Sequence, residues 1–257
     1  MQRYIPPITR TLLIVNVLLF AATYILEFTG VKLEMVLGAF FPGSPNFQFY
    51  QIISHMFMHG GFAHILFNMI ALWSFGSAIE VTLGPQKYAI LYFVCGIGAY
   101  ILFNIVNYID IDRLIGNLRL EGADIEQIYH LSKVNINGMF SNINELRGET
   151  SLKGDVQDIK QLFSFLSTPM VGASGAIYGL LVAFAMLYPD AKIMLLIPPI
   201  PIKAKYLMPV LILVELYLGT NNFKGDNVAH FAHLGGALIA FILVKIWTKN
   251  RFRIDHL

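Results

Sequence analysis

Residues 172–181 read GASGAIYGLL, and Ser174 stands there among glycines and alanines at the head of an apolar run that reaches Leu187. A serine hydroxyl does covalent chemistry once a base takes its proton and donors stabilise the oxyanion that forms. The candidate bases are histidines in two other apolar stretches. SHMFMHGGFAHILFNMIALW carries His55, His59, His64 and Asn68, and NVAHFAHLGGALIAF carries His230 and His233. His64 and Asn68 are four residues apart and share one helical face. Taken singly, a membrane serine bonds the backbone or a neighbouring helix, and a buried histidine does the same. Chemistry requires that these groups meet.

Two chemistries compete for them. Five histidines offer enough nitrogen for zinc or copper. No HExxH is present, so neither a metal nor another cofactor is expected. Nucleophilic catalysis needs less. The usual carboxylate that orients a histidine has poor candidates: apart from Glu27 at the end of the first apolar segment, only Glu80 and Glu215 are acidic within these segments. Glu80 belongs at the membrane face opposite Ser174, and Glu215 has no polar company near it in sequence. The expected unit is a Ser–His pair. The G-x-S-x-G elbow of soluble hydrolases is absent, because position 176 is Ala.

The elements that must position these groups are membrane helices. Of the 257 residues 56% are hydrophobic and 13% charged, with mean hydropathy +0.62; a soluble domain carries about 25% charged residues. Solid apolar runs without alternation predict an all-α, polytopic membrane bundle rather than a barrel. The net charge of +2, without a basic cluster, points away from nucleic acid. The single cysteine, Cys95, excludes an intramolecular disulfide. The N-terminal apolar run has no clean cleavage site and reads as an uncleaved first helix.

Six spans are expected, at about 11–28, 62–80, 88–107, 174–188, 206–219 and 229–248, the fourth and fifth being short. A short span preceded by glycines predicts a helix that starts below the membrane surface. With the N-terminus cytoplasmic, ten Lys and Arg fall inside and eight outside, six of those eight in one long segment that translocates largely regardless of charge. Both termini are therefore expected in the cytoplasm, in a bacterial inner membrane. The Ser174, His64/Asn68 and His233 groups then lie at the outer ends of their helices, at one depth. Residues 29–61 are expected in the interface, and PPIPIKAK within 190–205 forms a cytoplasmic link. Residues 108–168 read as an extracytoplasmic insertion between the third and fourth helices. There DVQDIKQLFSFL sets Val156, Ile159, Leu162, Phe163 and Leu166 on one face, predicting an amphipathic surface helix. Small residues recur every four positions in the fourth helix (Gly175, Gly179, Ala183) and the sixth (Ala232, Gly236, Ala240), so those backbones can approach closely.

Together these residues resemble the rhomboid family of intramembrane serine proteases. HMFMHGGFAHILFN is similar to its second-helix pattern, GASG to its G-x-S-G nucleophile motif, and HFAHLGGA to its last-helix histidine followed by small residues. The order of the motifs and of the helices matches over nearly the whole chain. The resemblance implies Ser174 as nucleophile and His233, rather than His230, as base. It implies an oxyanion hole from His64, Asn68 and the Ser174 N–H, with Tyr178 packed on the imidazole and Gly172 and Gly175 keeping the backbone slim at the site. Glu80 would hold the first loop region or helix ends, and His55 and His59 would be structural. The implied substrates are transmembrane proteins, cut at or near the extracytoplasmic face. The long insertion departs from the basic six-helix form; capping the site, selecting substrates and binding a partner are its three possible roles. Two other classes predict different sequences. A client-binding relative without activity would lack the serine or the histidine. A transporter built on the histidines would show an inverted repeat or paired broken helices, and neither is present.

Overall fold

The computed structural model describes residues 5–139, 152–194, 199–221 and 228–254. They are mostly helical. Among the described residues, four helices are long and apolar enough to cross a membrane: Pro7–Glu27, Phe62–Leu83, Pro85–Leu120 and His230–Lys249, the last being part of His230–Ile254. Between them stand the shorter apolar helix Ser174–Leu187 and the helix Ala204–Asn221, which carries Pro209. In chain order these six fall on the six apolar segments read from the sequence. The third departs most from its expected bounds, running unbroken for 36 residues into what the sequence assigns to the insertion. A two-stranded antiparallel hairpin, Lys192–Met194 with Pro201–Lys203, lies in the link before the fifth helix.

The chain divides into two compact units. The first holds residues 1–16, 61–103 and 173–257. Its centre is the pair of small-residue faces read from the sequence. A Cβ on Gly179 would sit 3.0 Å from the Gly236 carbonyl oxygen, and one on Gly236 would overlap the Gly175 carbonyl. The third helix joins the seam: a Cβ on Gly235 would meet the Gly98 carbonyl oxygen at 2.7 Å, and one on Gly175 would strike Ala99. Large apolar side chains such as Val81, Leu213 and Leu238 point outward and are exposed. This inversion suits lipid, where close backbone packing rather than water exclusion holds helices together.

Glu80 anchors the same unit. The second helix passes through a π turn at Leu72–Gly76, and Glu80 follows in its last segment. Its buried carboxylate accepts from Ile8 N at 2.9 Å, Thr9 N at 2.7 Å and Thr9 Oγ at 2.7 Å. These are free donors of the first turn of the first helix, so the acid caps that helix end.

The second unit holds residues 17–60 and 104–172. Its core is Ile111, Leu114 and Leu118 from the long third helix, Ile128 from Ile125–Leu131, and Ile159, Leu162 and Leu166 from Val156–Ser167. Asp124 and Asp155 cap the two short helices through their side chains. The apolar face predicted at 156–166 is therefore covered by protein. Val156 departs from that face and stays 60% exposed, one position inside the Asp155 cap.

Candidate active site

All the polar groups that the sequence singles out for catalysis, apart from Gly172, fall in the first unit. The fourth helix begins at Ser174, with Ala173 as its cap residue. Nothing precedes it to accept its first amide hydrogens within the helix, so those N–H groups face outward from the helix start. The sixth helix begins at His230 and carries His233 one turn later. The glycine seam lets the two helix starts lie side by side, and His233 Nε2 comes to 2.9 Å from Ser174 Oγ. That is the distance across which a hydroxyl proton passes to an imidazole.

The imidazole is held from its face. Tyr178, one turn beyond Ser174, stacks on His233 with ring centroids 4.2 Å apart and planes 6° from parallel. Ser174 and Tyr178 are half-buried, while His233 is 7% exposed. From the second helix, half-buried His64 lies within electrostatic reach of His233. Asn68, one turn further, is buried, and its side-chain Nδ2 finds no hydrogen-bond partner among the described residues. An amide donor left unused at such a place costs stability, and an incoming oxygen would satisfy it.

Gly172 and His55 belong to the second unit. Gly172 has φ +125°, a conformation open to glycine, and its N–H donates to the His55 carbonyl at 3.0 Å. His55 is itself buried, with Nδ1 2.9 Å from the Gln51 carbonyl oxygen; burial lowers its pKa to about 4. Its role here is structural, and His59 is likewise buried.

One expectation fails. Glu215 was expected to lack polar company, yet its carboxylate lies among the site's own residues. Oε2 is 2.6 Å from His230 Nδ1 and 3.1 Å from His233 Nδ1, and Oε1 accepts a hydrogen bond from the Tyr178 hydroxyl. The reason is topological. The fifth and sixth helices are antiparallel neighbours joined by a short link, so residues 15 and 18 apart in sequence face each other. Gly219 permits the approach: a Cβ there would meet His230 Cβ at 3.1 Å. The usable signal was an acid in the middle of an apolar run, which calls for a functional reading whatever its sequence neighbours are.

The same cluster bears on metal binding. Glu215, His230 and His233 each present one ligand atom within 4.8 Å of the others. The closest separation, 2.6 Å between Glu215 Oε2 and His230 Nδ1, is that of a hydrogen bond, and His233 Nδ1 lies 3.1 Å from the same oxygen. Tetrahedral zinc would hold such atoms about 3.3 Å apart. The set as folded is a carboxylate among proton donors.

Comparison with known proteins agrees with the motifs. The Rhomboid domain model matches residues 46–110 and 151–250, more than half of the chain. Rhomboid protein 1, mitochondrial, of Saccharomyces cerevisiae is 26% identical over 192 residues, covering 74% of this chain and 40% of the yeast protein. A mitochondrial rhomboid protein of Schizosaccharomyces pombe, described as uncharacterized, is 24% identical over 217 residues, covering 79% of this chain and 53% of its own length. The chain thus spans about half or less of the curated relatives it matches. The family match lies over the second helix, the Ser174 helix and the His233 helix, and with it the apolar helices become the spans of a polytopic bundle: the chain is a multi-pass membrane protein and belongs to the rhomboid family.

Proposed function

We propose that this chain is an intramembrane serine endopeptidase with six transmembrane helices, cleaving transmembrane proteins at or near the extracytoplasmic face. The observation that carries the reading is the 2.9 Å contact between Ser174 Oγ and His233 Nε2, with Tyr178 stacked on the imidazole. Ser174 Oγ attacks the scissile carbonyl carbon while His233 Nε2 takes the hydroxyl proton. The carbonyl oxygen becomes an oxyanion, met by the Ser174 N–H, by Asn68 Nδ2 and by His64. His233 then returns its proton to the leaving amine as the peptide C–N bond breaks. Water, deprotonated by His233, attacks the acyl-serine, and the product carboxylate and Ser174 hydroxyl are released. No metal or other cofactor takes part.

The short fourth helix, opening at Ser174, supports a site sunk below the outer surface and reached by water from outside. A peptide bond inside a helix must unwind before attack, so helix-destabilising residues in a substrate favour cleavage. The lysine and arginine distribution supports both termini on the cytoplasmic side of the membrane. It leaves residues 108–168 as an extracytoplasmic insertion.

A fluorophosphonate probe tests the proposal on detergent-purified protein. Wild type should be labelled on Ser174, and Ser174→Ala and His233→Ala should not, at unchanged thermal unfolding. Full labelling of either variant would sink the Ser–His assignment.

A further inference from the structure

Glu215 is the buried charge that the Ser–His pair leaves without a task. A carboxylate within a membrane helix is costly and persists only when well partnered. Its partners come from two further helices: Tyr178 from the fourth, and His230 and His233 from the sixth. Two of these three are the stacked rings beside Ser174. His230 alone, at 2.6 Å, would satisfy Oε2. The remaining two contacts place the carboxylate on the side of the His233 ring away from Ser174. Nε2 faces the hydroxyl, and Nδ1 faces the carboxylate. Oε2 lies off the line of the Nδ1–H bond in this resting arrangement, so the 3.1 Å approach is a charge contact rather than an aligned hydrogen bond.

We propose that Glu215 is a positioning residue for His233, the carboxylate member of a Ser–His–Glu set. It keeps the ring proton on Nδ1, which leaves the Nε2 lone pair for the Ser174 proton. When that proton arrives, the positive charge formed on the ring lies beside a carboxylate that stays ionised; no proton passes to Glu215. Tyr178 serves twice, holding the ring by its face and the carboxylate by its hydroxyl. His230 braces the carboxylate from the other side. The kinetic consequence rests on the protease reading, whereas the tautomer does not. Among the described residues, His64 from the second helix also lies within electrostatic reach of the ring, and the third helix brings Cys95 to the Gly179 seam.

The test uses the full chain in detergent, as wild type, Glu215→Gln, Glu215→Asp and Tyr178→Phe. Two quantities are read: the rate of fluorophosphonate labelling of Ser174, and the His233 tautomer by 15N NMR of histidine-labelled protein, assigned by loss of the signal in His233→Gln. Wild type should show His233 with the proton on Nδ1. Glu215→Gln should shift that population and slow labelling by about 10²-fold, the low end of what a general base supplies. Glu215→Asp should recover part of the rate and the wild-type tautomer, which a purely structural role would not predict. Should Glu215→Gln fail to fold, Tyr178→Phe decides by the same readings, since it frees the carboxylate while keeping the stacked ring. An unchanged tautomer together with an unchanged labelling rate, in whichever variant folds, overturns the assignment. A folded wild type that never labels would refute the protease reading instead, and the tautomer alone would then decide the role of Glu215.

Discussion

Adding one methyl group at Gly236 should disable the site without altering a polar side chain. A Cβ at that position would overlap the Gly175 carbonyl and lie 3.5 Å from the Cys95 carbonyl oxygen. The first obstacle is backbone, which cannot swing aside as a long side chain can. A non-bonded carbon and oxygen rest roughly 3.5 Å apart, so the fourth and sixth helices must separate by about 1 Å or more. Gly175 follows Ser174 directly, and Gly236 lies one turn after His233. The separation therefore falls on the pair itself and stretches their 2.9 Å contact beyond hydrogen-bond length. A displacement of that size costs about 10²-fold in rate. Gly236→Ala should label with a fluorophosphonate roughly 100-fold more slowly than wild type. Overpacking should also lower its stability by about 1–3 kcal/mol. Thermal unfolding and labelling on one preparation separate the two effects. Wild-type labelling and unfolding in Gly236→Ala would refute the claim that this close approach sets the Ser174–His233 geometry.

Three further outcomes follow from the same structure. Asn68→Ala and His64→Ala should each slow substrate cleavage by roughly 10²–10³-fold, as removal of an oxyanion donor does, with little change in substrate affinity; a change confined to KM would count against that role. Glu80→Gln weakens acceptance from three donors at the start of the first helix and should lower stability by about 2–3 kcal/mol in detergent unfolding, while Ser174 labelling at low temperature persists. His55 titrates at about 4 when folded and 6.5 when unfolded, so its neutral form supports the fold above 6.5 and the unfolded chain gains a proton first as pH falls. Stability should drop by roughly 3 kcal/mol between those two values, and unfolding curves of His55→Gln should lose that part of the pH dependence.

How much of this was legible in the sequence depended on the range of each signal. Helix existence and the small-residue seam are written locally, in apolar runs and four-residue spacing, and both appear where the sequence places them. The structure also brings Ser174 to His233 rather than His230, the pairing that the family resemblance implies. The end of the third span was less legible. Its apolar run fades near residue 107, yet the helix continues to Leu120, because Ile111, Leu114 and Leu118 are buried by Val156–Ser167 and Ile125–Leu131. Hydropathy marks where lipid can be met, and a helix extends beyond that point whenever protein covers its next turns.

Glu215 shows the sharper limit. Its chain neighbours are leucine, valine and tyrosine, and sequence proximity offers it no partner. Its partners become visible only by folding the fifth and sixth helices into an antiparallel pair. Glu215 lies six residues before the end of the fifth helix at Asn221, and His230 opens the sixth. At 1.5 Å per residue that acid sits about 9 Å down from its helix end, and a glutamate side chain reaching back toward the helix N-terminus would point further away. The contact forms because Gly219 removes the side chain that would hold the two helices apart, and because Tyr178 draws the carboxylate toward the rings. Reading a membrane site from sequence therefore needs more than a list of polar residues by neighbourhood. An acid in an apolar run has to be tested against each helix that could pack on it, and a glycine one turn away indicates which helix that is.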